Sequence, residues 1–246
     1  MKKNKCKLNK RGKFAIYAFI LLVILFIYIC ISSSIFELKQ IDVDGNSKIT
    51  KSDIIKIGDI ETGKNIFKYN LNDVEKKLLV NPYIKYVKVS RKFPDKLVIT
   101  IKENSEYAII KEGASYIYIG ENGLVLSEQK VIKNKNIPLV SGIEIKNKKL
   151  NTKIKINSDK SNDIILAIDT LKKNNMSRKV ESIKINQNKM YMKTDDNTNI
   201  VLKIDEDIEY NINRLKAILV DLKSNNKKGG NIDLTSKEQA IYSPWC

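Results

Sequence analysis

The sequence has no histidine among its 246 residues. That excludes Ser-His-Asp and Cys-His catalytic sites, histidine zinc ligands and the usual neutral-pH general base. It has only three cysteines, Cys6, Cys30 and Cys246, too few and too scattered for a disulfide framework or a metal cluster. Arginine is nearly as scarce. Arg11, Arg91, Arg178 and Arg214 are the only ones among 45 basic residues, so 41 are lysine. Gly229-Gly230 lacks the rest of either phosphate-loop fingerprint. No Ser-x-x-Lys stretch falls at a convincing strand-to-helix turn. No cofactor, metal site or catalytic residue is expected.

Apolar residues are present in quantity, at 42%, enough for a buried core. Phe14 to Ile31 is an unbroken apolar run, and no charge follows until Glu37. At about 1.5 Å per residue, roughly 20 helical residues cross the 30 Å hydrocarbon layer of a bilayer. Residues 14–36 are therefore read as a single transmembrane helix. The segment 1–13 carries Lys2, Lys3, Lys5, Lys7, Lys10, Arg11 and Lys13 and no acid, so it is read as a cytoplasmic basic tail. The rest of the chain then lies outside the cell membrane. A cleaved signal sequence is the competing reading, with Ser32 or Ser34 near the cut. Its apolar core usually spans about 7–15 residues, shorter than this run. Ile29 stands where a lipoprotein signal needs a small residue, so Cys30 is read as an apolar membrane residue.

The formal charge is +17, and removing the seven basic tail residues leaves +10 outside the membrane. Nucleic acid is absent there, and the lysines are dispersed singly, so no nucleic-acid partner is expected. Lys, Asn and Ile recur along the whole chain, as AT-rich coding produces. Weak attraction to anionic wall polymers is the sharper alternative to a merely solvated lysine surface.

Residues 37–104 read as one domain in the order β-α-α-β-β. Phe36–Val43 is a strand with Leu38, Ile41 and Val43 facing the core. Gly45-Asn46 makes a turn, and Thr50-Lys-Ser-Asp53 resembles a capping box. Asn70 caps a second helix, in which Leu71, Val74 and Leu78 share a face. Asn81-Pro82 ends it. Ile84–Ser90 and Lys96–Lys102 are strands joined by a turn at Lys92-Phe93-Pro94-Asp95.

Residues 105–235 read as a β-rich domain with a mostly antiparallel sheet and packed helices, making the whole an α+β protein. Strands are predicted at Tyr107–Lys111, Ser115–Ile119, Leu124–Leu126, Lys153–Ile156, Val180–Asn186, Lys189–Lys193 and Ile200–Ile204. Asn231–Thr235 is the last predicted strand. Asn122-Gly123 signals a hairpin. Ile164, Ile165, Ile168 and Leu171 mark one helix; Ile208, Ile212, Leu215, Leu219 and Leu222 mark the other. Residues 236–246 form a tail with the only tryptophan, Trp245.

Taken together, the chain resembles the FtsQ/DivIB family of bacterial cell-division proteins. The likeness rests on Phe36–Asn46, Asn81-Pro-Tyr-Ile84, Val87-Lys-Val-Ser-Arg91, Phe93–Leu97 and Gly230–Thr235 followed by Trp245. Thr235 departs from the family pattern, which usually has arginine after the Asp-Leu pair. The resemblance implies a POTRA-type domain at 37–104 and a non-enzymatic scaffold of the divisome. It implies that the last strand region receives an FtsB/DivIC-type partner, itself paired with FtsL. Septal enrichment and control of septal peptidoglycan synthesis follow from the same resemblance.

The physical counterpart is an open sheet edge, whose unpaired N–H and C=O groups accept a strand from another chain. The candidate partner-binding residues are Ile232, Asp233, Leu234, Thr235, Tyr242 and Trp245. Trp245 is either an interface anchor or a core plug. The alternative function is a membrane-anchored wall hydrolase or wall-polymer-binding protein. Its acids would come from Asp195-Asp196 or Asp205-Glu206-Asp207, as paired carboxylates serve glycoside hydrolysis.

Overall fold

A computed structural model describes residues 10–205, 207–236 and 238–245. The expectations placed on Lys2, Lys3, Lys5, Cys6, Lys7, Glu206 and Cys246 lie outside the described residues.

The first described element is helix α1, Lys10–Ser32. Its side chains from Lys13 to Ile29 are exposed, and its stretch Gly12–Ile29 is long and apolar enough to cross a membrane. A helix suits lipid because every backbone polar group inside it is bonded within the segment. A 3₁₀ turn at Ser34–Phe36 follows, capped by the Ser33 hydroxyl, which accepts from the Ile35 N–H at 3.3 Å.

The chain divides into two compact units. One runs up to Leu79 and includes Tyr86–Lys102; the other comprises Val80–Lys85 and Glu103 onward. In the first, strand β1 is Gln40–Asp44, shorter than the predicted Phe36–Val43. Residues before Gln40 leave the ladder because their backbone bonds elsewhere: the Leu38 N–H to Lys64 O and the Lys39 N–H to Asp95 O, both at 2.9 Å. Gly45 holds φ 84°, and a Cβ there would lie 2.1 Å from the Ile101 carbonyl oxygen, so only glycine fits. Helix α2, Lys51–Gly58, starts where the capping box predicts, with Thr50 Oγ1 accepting from the Asp53 N–H at 3.1 Å. Helix α3, Leu71–Leu79, starts at Asn70, whose side chain accepts from the Asn72 N–H.

Strands β2, Ile84–Lys92, and β3, Lys96–Glu103, complete a sheet of order β1-β3-β2, with β1 parallel to β3. Leu38, Ile54, Leu78, Val89, Leu97 and Ile99 fill the core. Val43, expected there, is only half-buried.

The second unit is built on strands β4 Ala108–Glu112, β5 Ser115–Ile119, β6 Val125–Gln129, β7 Leu139–Ser141, β8 Ile145–Asn147 and β9 Lys155–Ile156. Helix α4, Ser161–Lys173, precedes β10 Val180–Asn186, β11 Lys189–Thr194 and β12 Thr198–Lys203. Helix α5, Ile208–Ser224, precedes β13 Gly230–Leu234 and β14 Ile241–Ser243. Among the described residues nine strands form one sheet, β14-β13-β12-β11-β10-β7-β4-β5-β6, while β8 and β9 pair separately. The sheet is mixed: β13 runs parallel to β12, and β7 parallel to β4 and β10, while the remaining pairs are antiparallel.

The two helices pack on one face, burying Ile164, Ile168, Ile212 and Leu215 against sheet residues such as Ile117, Ile183 and Ile200. On the opposite face Ile109, Tyr118 and Leu126 are covered by Ile137 and Ile132. The covering residues lie in the connection before β7.

Candidate docking edge at the C-terminus

Ile232 and Leu234 are 1% and 0% exposed and belong to the main core, because alternate residues of β13 face the helices. Neither is free to contact a partner. Nor is β13 an edge. It is flanked by β12 on one side and by β14 on the other, in the register Asn231↔Ser243, Ile232↔Tyr242 and Asp233↔Ile241. The expectation that Asn231–Thr235 is the last strand is therefore corrected: the tail returns and seals it.

That return has identifiable causes. Asp233 Oδ1 accepts from the Thr235 N–H at 2.8 Å and the Thr235 hydroxyl at 2.7 Å, ending the strand in a side-chain turn. Both residues are half-buried and work inside the fold at this point. Arg214 of α5 points donors at the carbonyls of Ser236 and Glu238, each at 3.4 Å. The Tyr242 hydroxyl donates to the Gly229 carbonyl at 2.8 Å, and Trp245 Nε1 donates to the Asn197 carbonyl at 3.1 Å. Gly229 holds φ 70°, and a Cβ there would stand 2.5 Å from Trp245 Cδ1. Gly229 thus gives the indole its seat, while Gly230 makes room for the Tyr242 ring and the Ser243 carbonyl.

The sheet has two edge strands, β6 and, at the C-terminal end of the chain, β14. Among the described residues no strand pairs with the outer side of β14. Ile241 is 59% exposed, and Trp245 is 51% exposed despite its hydrogen bond. Trp245 therefore does not plug the core. Ile241 was not among the sequence candidates. The signal for it was the β-prone Ala240-Ile-Tyr-Ser243 run stopped by Pro244. Ile241 and Ser243 border a shallow trough of about 590 Å³ on the outer sheet face, with Lys184, Tyr191, Lys193 and Val201.

The acidic clusters have local structural roles. Asp196 Oδ1 accepts from the Thr194 and Thr198 hydroxyls at 2.5 and 2.9 Å. Burial pushes its carboxyl up, but the hydroxyl and amide donors outweigh it and leave the group below the ordinary range. Asp205 accepts from the Asp207 N–H and lies 3.6 Å from Lys203 Nζ.

A family model for the POTRA domain of FtsQ type matches residues 36–104. The class these features define is a POTRA-bearing α+β protein with one N-terminal apolar helix that fits a transmembrane anchor. A cell division protein DivIB of Clostridium acetobutylicum is 31% identical over 224 residues, spanning 90% of this chain and 88% of the relative. One from Clostridium tetani is 32% identical over 227 residues, spanning 90% and 84%. A cell division protein FtsQ of Syntrophotalea carbinolica is 32% identical over 113 residues, spanning 46% and 40%. A solved extracytoplasmic domain of DivIB from Geobacillus stearothermophilus aligns with 50% of this chain and 98% of its own, at 14% identity. Its TM-score is 0.36. The chain belongs to the DivIB/FtsQ family of cell-division proteins, and its role is in cell division.

Proposed function

We propose that this protein is a non-catalytic divisome scaffold that lends the outer edge of β14 to a strand of an FtsB/DivIC-type partner, itself paired with an FtsL-type protein. In this reading α1 spans the membrane with the basic tail in the cytoplasm. Both units stand outside, the protein gathers at the septum, and the complex helps control septal peptidoglycan synthesis and septum assembly. The supporting observation is that β14 is one of the two outermost strands of the large sheet, and the one with exposed Ile241 and Trp245 at hand.

Each backbone bond to an added strand is worth only about 1 kcal/mol net, and β14 is three residues long. Side chains must supply the rest of the affinity and the choice of partner. Ile241, Tyr242 and Trp245 take over the role that sequence alone places on Ile232 and Leu234. Asp233 and Thr235 stay in the proposal through the turn that leads from β13 towards β14.

The test is a photo-crosslinking scan of the full chain in cells, one position at a time through 240–245, with Ile232 and Leu234 as buried controls. Capture of the DivIC-type partner is expected at alternate positions of β14 and not at the controls. Septal fluorescence of a tagged chain is expected to disperse when that partner is depleted. Capture confined to other surfaces, with β14 silent throughout, would overturn the reading.

A further inference from the structure

We propose that Phe36, Phe67 and Phe93 form an aromatic seat that beds the membrane end of the first unit in the lipid head-group layer. This rests on the reading of α1 as a transmembrane anchor. The three rings come from separate places in the sequence, yet they converge. Phe36 and Phe67 have centroids 5.3 Å apart, Phe67 and Phe93 are stacked at 5.5 Å, and Phe36 meets Phe93 edge-on at 6.3 Å. The cluster does not lie in the core: Phe67 is 38% exposed and Phe93 58%, and neighbouring Ile35 is also exposed. An apolar surface of this kind facing water has no folding purpose.

Its position supplies the occupant. α1 ends at Ser32, only four residues before Phe36. Four residues reach at most about 14 Å when extended. Here the 3₁₀ turn Ser34–Phe36 shortens the link, with the Phe36 N–H bonded to Ser33 O at 3.1 Å. The head-group layer beyond each side of the hydrocarbon is about 5–8 Å deep. Phe36 therefore sits at head-group depth wherever α1 spans.

The other two rings are held to it. The Glu37 backbone bridges Asn65, and the Leu38 and Lys39 N–H groups bond to Lys64 and Asp95, in the two loops that carry Phe67 and Phe93. Arg91 lies 5.8 Å over the Phe67 ring while donating to the carbonyls of Ile66 and Tyr69. Exposed Lys68 and Lys92 each adjoin one of the exposed rings in sequence. Rings with cations beside them match the chemistry of a bilayer interface, where aromatic bodies lie among the acyl ester groups and ammonium groups meet lipid phosphates.

The full chain, reconstituted in vesicles of phosphatidylcholine and phosphatidylglycerol, reads this directly. Trp245→Phe removes the only tryptophan, and a reporter is then placed singly by Phe93→Trp or, as an independent second site, Phe67→Trp. Phe26→Trp within α1 reports on the anchor. The expected result is a blue-shifted emission from both seat reporters, quenched by lipids brominated near the head groups. The α1 reporter is expected to be quenched by lipids brominated deep in the chains.

Seat reporters that emit as in water and resist quenching, while Phe26→Trp is quenched, would overturn the seat and leave the anchor standing. That pattern would turn the patch into a surface for a protein. An unquenched Phe26→Trp would overturn both the anchor and the seat.

Discussion

Single residues carry the joints of this fold, and several act far from their sequence neighbours. Asn122 adopts φ 55°, the left-handed turn that its Asn-Gly pair announces. Its N–H is received by the Asp169 carboxylate on α4, at 3.0 and 3.2 Å. Burial pushes the Asp169 carboxyl up. The Asn122 N–H and Lys173 and Lys153 pull it down, and Glu121 adds to the rise. The folded state thus holds this proton more tightly than the unfolded chain does. The stabilising contribution is complete below the ordinary aspartate value of 3.8 and is lost as pH rises through the folded value. Asp169→Asn keeps an acceptor and sheds the buried charge. In urea titrations of the full chain in detergent, Asp169→Asn is expected to gain on the parent as pH rises from about 4 to 7. Asp169→Ala is expected to lose about 1–3 kcal/mol, because the Asn122 N–H is orphaned. Parallel pH curves for parent and Asp169→Asn would contradict this account. The turn was legible locally; its partner, 47 residues away, was not. Tyr83 in the Asn81-Pro-Tyr-Ile84 stretch is similar. Its hydroxyl donates to buried Glu106 at 2.8 Å, and burial and that carboxylate hold the phenol above its ordinary range.

Among the secondary-structure elements, β14 has the largest consequence. It closes β13, fastens the tail through Tyr242 and Trp245, and transfers the free edge to itself. Deleting residues 241–246 is expected to cost roughly 3 kcal/mol, at about 1 kcal/mol for each of three paired residues. It also bares β13 as a new edge, so the truncated chain is expected to self-associate. Urea melts and sedimentation velocity check the two effects. Unchanged stability and a monodisperse profile would show that β14 is not packed as described.

Sequence reading located the strands with clear alternation, and the two amphipathic helices of the second unit were found within a few residues. It missed β7, β8 and β14, each three residues long, because so short a segment shows almost no period. It also began β1 at Phe36, since alternation cannot show that the backbone there bonds to loops.

At the scale of the whole molecule, charge and the anchor are the governing features. Beyond the basic tail the formal charge is +10, and lysines there pair with nearby acids, as Lys148 does with Glu112 and Glu128, both at 2.8 Å. Exposed pairs of this kind contribute little to stability. Whatever attraction the surplus exerts on anionic wall polymers acts through solvent. The screening length falls from about 10 Å at 0.1 M salt to about 3 Å at 1 M. Co-sedimentation of the full chain with purified cell wall is therefore expected to fall steadily across that range. Binding indifferent to salt would rule out a charge-driven contact.

The sequence by itself determined the features that depend on neighbouring residues: the apolar span, the capped helices, the Asn-Gly turn and the strand alternation. Each is set by forces acting within a few positions along the chain. Tertiary structure alone decided which strands lie at the sheet edges, which of the candidate side chains face the core, and where three distant phenylalanines meet. Those depend on strand order and packing, where residues far apart in the chain become neighbours, and local periodicity carries no record of that.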